Sequence, residues 1–270
     1  MATVIFIPKV IGIFFSRMAS ILSVLLLVAG AVQADGTLST DIRISSKTLG
    51  YDLQYRVYLP EGYDQTAHYP VLFLSDGQNY LSKGKLDSVL NRLISSQQID
   101  PVVAVFVDPR DPDDLETNRR QQQFLCNVDF LKFYVDELIP TIEKNYAVMT
   151  TREGRTIAGV SFGGTNGACF GLFGYEYFSG IAMQSPANHP IPRMLPTWAE
   201  VPKMPLKLFL STGTPDDNTE DNRAFHAVLR EKGYDMKYME VDEGHNWDNW
   251  RPLLDDILIY YYGKAQPTTN

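Results

Sequence analysis

The chain has 270 residues, of which 44% are apolar, 21% charged and 12% aromatic. That balance supports a sizeable core and excludes disordered, collagen-like and coiled-coil classes. The net charge of −8 argues against nucleic acid as a partner, since phosphate binding needs a basic surface.

The first 34 residues carry Lys9 and Arg17, no acidic side chain, and a run from Ile21 to Val32 that is apolar apart from Ser23 and Gly30. This is the pattern of a signal peptide, with Val32-Gln33-Ala34 offering small residues at the −3 and −1 positions of a cleavage site. Val4 to Phe15 is also apolar, but Pro8, Lys9 and Arg17 interrupt any continuous span of the ~20 residues a bilayer requires. The expectation is an exported protein, periplasmic or secreted, with no stable membrane association after cleavage. Loss of the two cations takes the remaining residues 35–270 to a formal −10. No linker, charge block or internal repeat divides them, so one domain is expected; nothing in the sequence indicates an oligomeric state.

Alternating apolar residues at Leu53, Tyr55, Val57 and Leu59 predict a half-buried strand, with a partner around Asp41–Lys47 and an antiparallel start. Beyond it, Val71–Leu74, Val102–Val107, Thr156–Val160, Gly180–Met183 and Leu206–Leu210 are short unalternating apolar runs, the signature of strands buried on both faces of a largely parallel sheet. Apolar residues at helical spacing in Leu86–Ile94, Phe130–Ile142, Phe225–Leu229 and Leu253–Tyr261 predict helices that cover it, and a last strand falls near Met236–Val241. The expected class is α/β, doubly wound, with helices on both faces of a mostly parallel sheet. Pro109–Asn127 and the proline-rich Pro186–Pro205 are expected to be long loops at the carboxyl edge, where open α/β sheets bind ligands. Cys126 and Cys169 are read as buried small apolar residues rather than a disulfide, and their spacing suggests no metal site.

Gly159-Val160-Ser161-Phe162-Gly163 matches Gly-x-Ser-x-Gly between a predicted strand and a predicted helix, where a sharp turn exposes the serine above the sheet. A serine hydroxyl needs a base, and of the four histidines His245 stands just past the last strand, on the same edge. A carboxylate that fixes the imidazole tautomer should follow the strand between them. Leu206–Leu210 leads into Asp216 and Asp217, two adjacent candidates. The order serine, acid, histidine is that of α/β-hydrolases.

Several segments now form a recognisable set. They are Tyr69-Pro70-Val71-Leu72-Phe73-Leu74-Ser75-Asp76-Gly77-Gln78-Asn79, Asp136-Glu137-Leu138-Ile139-Pro140, the Ser161 turn, Gly213-Thr214-Pro215-Asp216 and Gly244-His245-Asn246-Trp247. Over roughly residues 40–262 the chain resembles the putative-esterase family of α/β-hydrolases, which includes enterochelin esterases and feruloyl esterase domains. The resemblance implies an α/β-hydrolase fold, ester hydrolysis without a cofactor or metal, and a Gly-Thr-x-Asp acid that aligns with Asp216 in preference to Asp217. It also implies an oxyanion hole from the backbone of Phe162 and of Gln78 in the Asp-Gly-x segment. Trp198, Trp247 and Trp250, with Ser185 and His189, are the candidates for a substrate wall; Arg119 and Arg120 are read as surface ion pairs. The expected substrate is a small-molecule or polysaccharide-linked ester, with preference for a bulky aromatic acyl group. An acyltransferase or a non-catalytic binding protein on the same scaffold are the alternatives.

Overall fold

The alternating segment forms strand β3 (Asp52–Leu59), which pairs antiparallel on one flank with two short strands, β1 (Thr37–Leu38) and β2 (Ile42–Ser45). The computed structural model describes residues 1–3 and 35–264; residues 4–34, the bulk of the expected signal peptide, lie outside the described residues. From β3 onward strands and helices take turns. The chain continues through β4 (Val71–Ser75), α1 (Gly77–Ser82), α2 (Leu86–Ser95) and β5 (Val103–Asp108). A hairpin of β6 (Arg110–Asp111) and β7 (Asp114–Asn118) and the short helix α3 (Arg120–Phe124) follow. Next come α4 (Val128–Phe133), a wider helical turn over Tyr134–Leu138 and α5 (Ile139–Asn145), one continuous helical run. After them stand β8 (Arg155–Val160), α6 (Phe162–Phe173), β9 (Gly180–Gln184), α7 (Met194–Glu200) and β10 (Lys207–Gly213). The chain closes with α8 (Thr219–Glu231), β11 (Asp235–Val241), α9 (Trp247–Trp250) and α10 (Leu254–Tyr262).

Among the described residues the main sheet has nine strands, running from β3 through β5, β4, β8, β9 and β10 to β11. β3 is antiparallel to β5, and every later pair is parallel, with Val71 opposite Arg155 and Thr156 opposite Gly180. Because side chains alternate along a strand, neighbouring residues serve two different cores. Phe73, Val105, Ile157 and Leu208 pack with Phe130, Tyr134, Phe170, Trp198 and Phe225 under α4, α6, α7 and α8. Leu72, Leu74, Ala104 and Phe209 pack with Leu90 and Leu93 of α2 and Ile257 and Leu258 of α10. Each fully buried large side chain contributes about 1.5–3 kcal/mol, which explains why the central strands are apolar on both faces.

Three expectations are corrected. Cys126 and Cys169 form a disulfide, which ties the segment between α3 and α4 to the middle of α6. The polar segment after Pro109 is not wholly a loop; β7 is exposed along its full length, so no apolar alternation announced it. In the proline-rich segment α7 forms around Pro196, its third residue, where the missing N–H would have had no intrahelical acceptor.

Candidate active site

Ser161 links β8 to α6 with φ 56° and ψ −121°, a conformation that L-residues adopt only when the surroundings hold it. The surroundings do so with main-chain bonds: Ser161 N–H donates to Gln184 O at 2.8 Å, and Thr165 N–H donates to Ser161 O at 3.0 Å. A Cβ at position 159 would lie 2.2 Å from the Gly163 main chain, so the turn closes only with glycine there. The serine is thereby raised at the carboxyl end of the sheet, above the first turn of α6.

His245 follows β11 and precedes α9, whose first turn is capped by Asn246 accepting from Asp248 N–H at 2.7 Å. Its Nε2 lies 2.8 Å from Ser161 Oγ and its Nδ1 2.6 Å from Asp217 Oδ1. An ionised carboxylate only accepts, so Nδ1 carries the proton and Nε2 is free to take one from Ser161. The ring stands edge-on to Trp250, centroids 5.0 Å apart.

The carboxylate at His245 is that of Asp217, not the expected Asp216. The Asp217 side chain is inaccessible to solvent, and its Oδ1 also accepts from Asn218 N–H at 2.7 Å. Its Oδ2 accepts from Ser185 Oγ at 2.6 Å, from Asn249 Nδ2 at 3.2 Å and from Gly213 N–H. Burial by itself raises its pKa, but hydrogen bonds from His245, Ser185, Gly213 and Asn218 outweigh burial and bring it down to about 2. Asp216 takes a left-handed turn at φ 48°; its side chain is exposed, and only its carbonyl serves the site, accepting from His245 N–H at 3.3 Å.

Beside the serine, lining the same cleft, is a second charged pair. Asp76, at the start of α1, is fully buried, and Arg120 donates from Nε to both its oxygens, at 2.9 and 2.6 Å. The same guanidinium donates to Val160 O at 3.0 Å, so one side chain from α3 joins the loop after β4 to the residue before Ser161. Burial pushes the Asp76 carboxyl up while Arg120 pulls it down. The surface-pair reading of Arg120 is therefore corrected, whereas Arg119 pairs with Asp111 at 2.5 Å in a partly exposed position.

Gln78 and Phe162 fall in the first turns of α1 and α6, where N–H groups have no intrahelical acceptor. Gln78 lines a separate cavity of about 510 Å³ with Gln54, Arg56, Asp108 and Arg110. The cleft over Ser161 and His245 has a volume of about 330 Å³ and is lined by Asn79, Lys83, Arg120, Asn246, Trp247 and Trp250.

Of the five expected wall residues, two border this cleft. Trp247 is half-buried and lies edge-on to Tyr80 at 5.3 Å, while Trp250 is nearly buried. Trp198 is fully buried between Phe225 and Tyr234, both at 5.7 Å, so it belongs to the core. Ser185 is fully buried against Asp217. His189 is exposed, 6.4 Å from the Phe162 ring, and does not line the cleft. Sequence reasoning missed Asn79, in the first turn of α1, and Lys83, the residue that follows that helix; their helical spacing from Asp76 was the available signal.

A family model described as Putative esterase matches residues 46–261. The chain is 26% identical over 223 residues to the uncharacterized protein YjcH of Bacillus subtilis, covering 79% of this chain and 92% of that one. It is 29% identical over 216 residues to an iron(III) enterobactin esterase of Escherichia coli, covering 76% of this chain and 52% of the relative, about half of its length. The solved structure of a ferulic acid esterase superposes with a TM-score of 0.74 at 22% identity, covering 85% of this chain and 99% of that one, which is a likeness of fold.

Proposed function

The chain belongs to the Putative esterase family and is a carboxylic ester hydrolase of the α/β-hydrolase fold; from that premise we propose that Ser161 is its nucleophile, His245 its general base and Asp217 the acid that orients the imidazole. The observation that carries this reading is the unbroken chain of contacts from Ser161 Oγ through the imidazole to Asp217, at 2.8 and 2.6 Å.

As Ser161 Oγ attacks the ester carbonyl, its proton passes to His245 Nε2, and Asp217 stabilises the imidazolium that forms. The carbonyl oxygen becomes an oxyanion, for which the N–H groups of Phe162 and Gln78 are the proposed donors. Collapse expels the alcohol, which takes the proton from Nε2, and leaves an acyl group on Ser161. Water then attacks the acyl carbon while giving a proton to Nε2; the second collapse releases the acid and returns that proton to Ser161.

The proposed substrates are esters with an aromatic acyl part. Trp247, half-exposed on the cleft wall, supports this, because ring contacts are worth roughly 0.5–1.5 kcal/mol beyond area burial. An endo-1,4-beta-xylanase/feruloyl esterase of Xylanibacter ruminicola, 28% identical over 224 residues, agrees with it. Export is proposed as well, supported by the Cys126–Cys169 bond, since disulfides persist in oxidising compartments. Hydrolysis of methyl ferulate and of a matched acetyl ester tests the reading. We expect a higher kcat/KM for the feruloyl ester and none for either in Ser161→Ala; a higher value for the acetyl ester overturns the acyl preference.

A further inference from the structure

We infer that Ser185 is a positioning residue for the reaction: its buried hydroxyl holds Asp217 so that one carboxylate oxygen stays against His245. The inference rests on the proposed roles of Ser161, His245 and Asp217 and adds a residue to them.

Ser185 is the first residue after β9, and its N–H donates to Ser211 O on β10 at 2.8 Å. Its φ is 44°, an unfavourable conformation for any residue with a Cβ. That backbone turns the side chain into the interior beneath the loop after β10, where it has no solvent access. The hydroxyl contacts three groups there: Trp250 Nε1 at 2.9 Å, Asn249 Nδ2 at 3.3 Å and Asp217 Oδ2 at 2.6 Å.

A hydroxyl has one proton to give and two lone pairs to receive. The indole N–H only donates and the ionised carboxylate only accepts, so the Ser185 proton has a single destination, Asp217 Oδ2. Trp250 thus fixes the direction of the Ser185 bond, and Ser185 fixes one oxygen of the carboxylate. Gly213 N–H and Asn249 Nδ2 hold the same oxygen, while Oδ1 meets His245 and Asn218 N–H. Rotation of the carboxylate would move Oδ1 away from the imidazole, and the Ser185 bond, shortest of the side-chain contacts to Oδ2, opposes that rotation. Glycine would occupy this backbone position with less strain, but it has no hydroxyl to make the bond.

The experiment compares kcat, KM and thermal midpoint for Ser185→Ala, Ser185→Gly, Asp217→Ala and Ser185→Ala/Asp217→Ala on an activated chromogenic ester. Ser185→Ala and Ser185→Gly should each lower kcat about tenfold with KM within twofold, although glycine suits φ 44° and alanine does not, so activity and stability should part company. In the Asp217→Ala background Ser185→Ala should cost less than twofold, since residues that act through one another do not add. Wild-type kcat in both Ser185 variants, a loss that follows the thermal midpoint, or a full tenfold loss in the Asp217→Ala background would each overturn the inference. An Asp217→Ala enzyme with wild-type kcat would overturn the proposed roles as well, whereas impaired Asp217→Ala with intact Ser185 variants would overturn this inference alone.

Discussion

Asp216 and Asp217 are neighbours with opposite surroundings, one exposed and one sealed under His245. Nothing in the residues themselves separates two adjacent carboxylates; the left-handed turn at Asp216 does, because it sends the next side chain inward. Asp217→Asn should lower kcat on the order of 10³–10⁴-fold by presenting the wrong imidazole tautomer, and Asp216→Asn by less than about threefold. Similar losses at both positions would contradict that division. A carboxylate held at about 2 in the folded chain adds stability that is fully present above the ordinary unfolded value of about 4 and is lost as the pH falls toward the folded one. The stability gap between wild type and Asp217→Asn, followed by denaturant titration, should therefore be constant at neutral pH and narrow below about pH 4. Arg120 makes a second case at this scale. Arg120→Leu leaves Asp76 buried without its cation, a change that costs about 3–5 kcal/mol, and Arg120→Leu/Asp76→Asn should recover much of that loss. A double variant no more stable than the single one would show that the pair is not the source.

Among the elements, those built on apolar periodicity were legible and those built on polar or covalent constraints were not. Strands Val71–Ser75 and Arg155–Val160 lie within a residue or two of their predicted bounds, because a strand buried on both faces is apolar over its central residues. The hairpin after Asp108 buries nothing along β7 and left no pattern. The Cys126–Cys169 bond was equally invisible, since two cysteines in a chain show their number and separation but not their proximity. It closes a loop of 43 residues, which in the chain-entropy view is worth about 2–4 kcal/mol. Reduction, or the pair Cys126→Ser and Cys169→Ala, should lower the thermal midpoint by about 5–10 °C. The loss of activity on warming should come correspondingly earlier, because the bond fastens the segment that carries Arg120 to the helix that begins beside Ser161. An unchanged midpoint after verified reduction would remove the bond from the stability of the site.

At the scale of the whole molecule, strand order delivers the chemistry. β4, β8, β10 and β11 end on one edge, and from their ends come Asp76 and Gln78, Ser161, Asp217 and His245 in turn. This arrangement was readable because a parallel sheet puts all its carboxyl ends on one side; position alone put Ser161 and His245 on that edge, and the fold brings them to 2.8 Å. The wall of the cleft could be read only in part, at Trp247 and Trp250. Trp198 follows a strand on the correct edge, yet α7 carries it down into the core, and only packing decides that. The most direct test of the central claim is covalent capture: treat the enzyme with a fluorophosphonate and map the adduct by peptide mass. The account predicts one adduct, on Ser161, formed rapidly in wild type, slowly in Asp217→Asn and not in Ser161→Ala; stoichiometric labelling of the Ser161→Ala protein at another serine would contradict it.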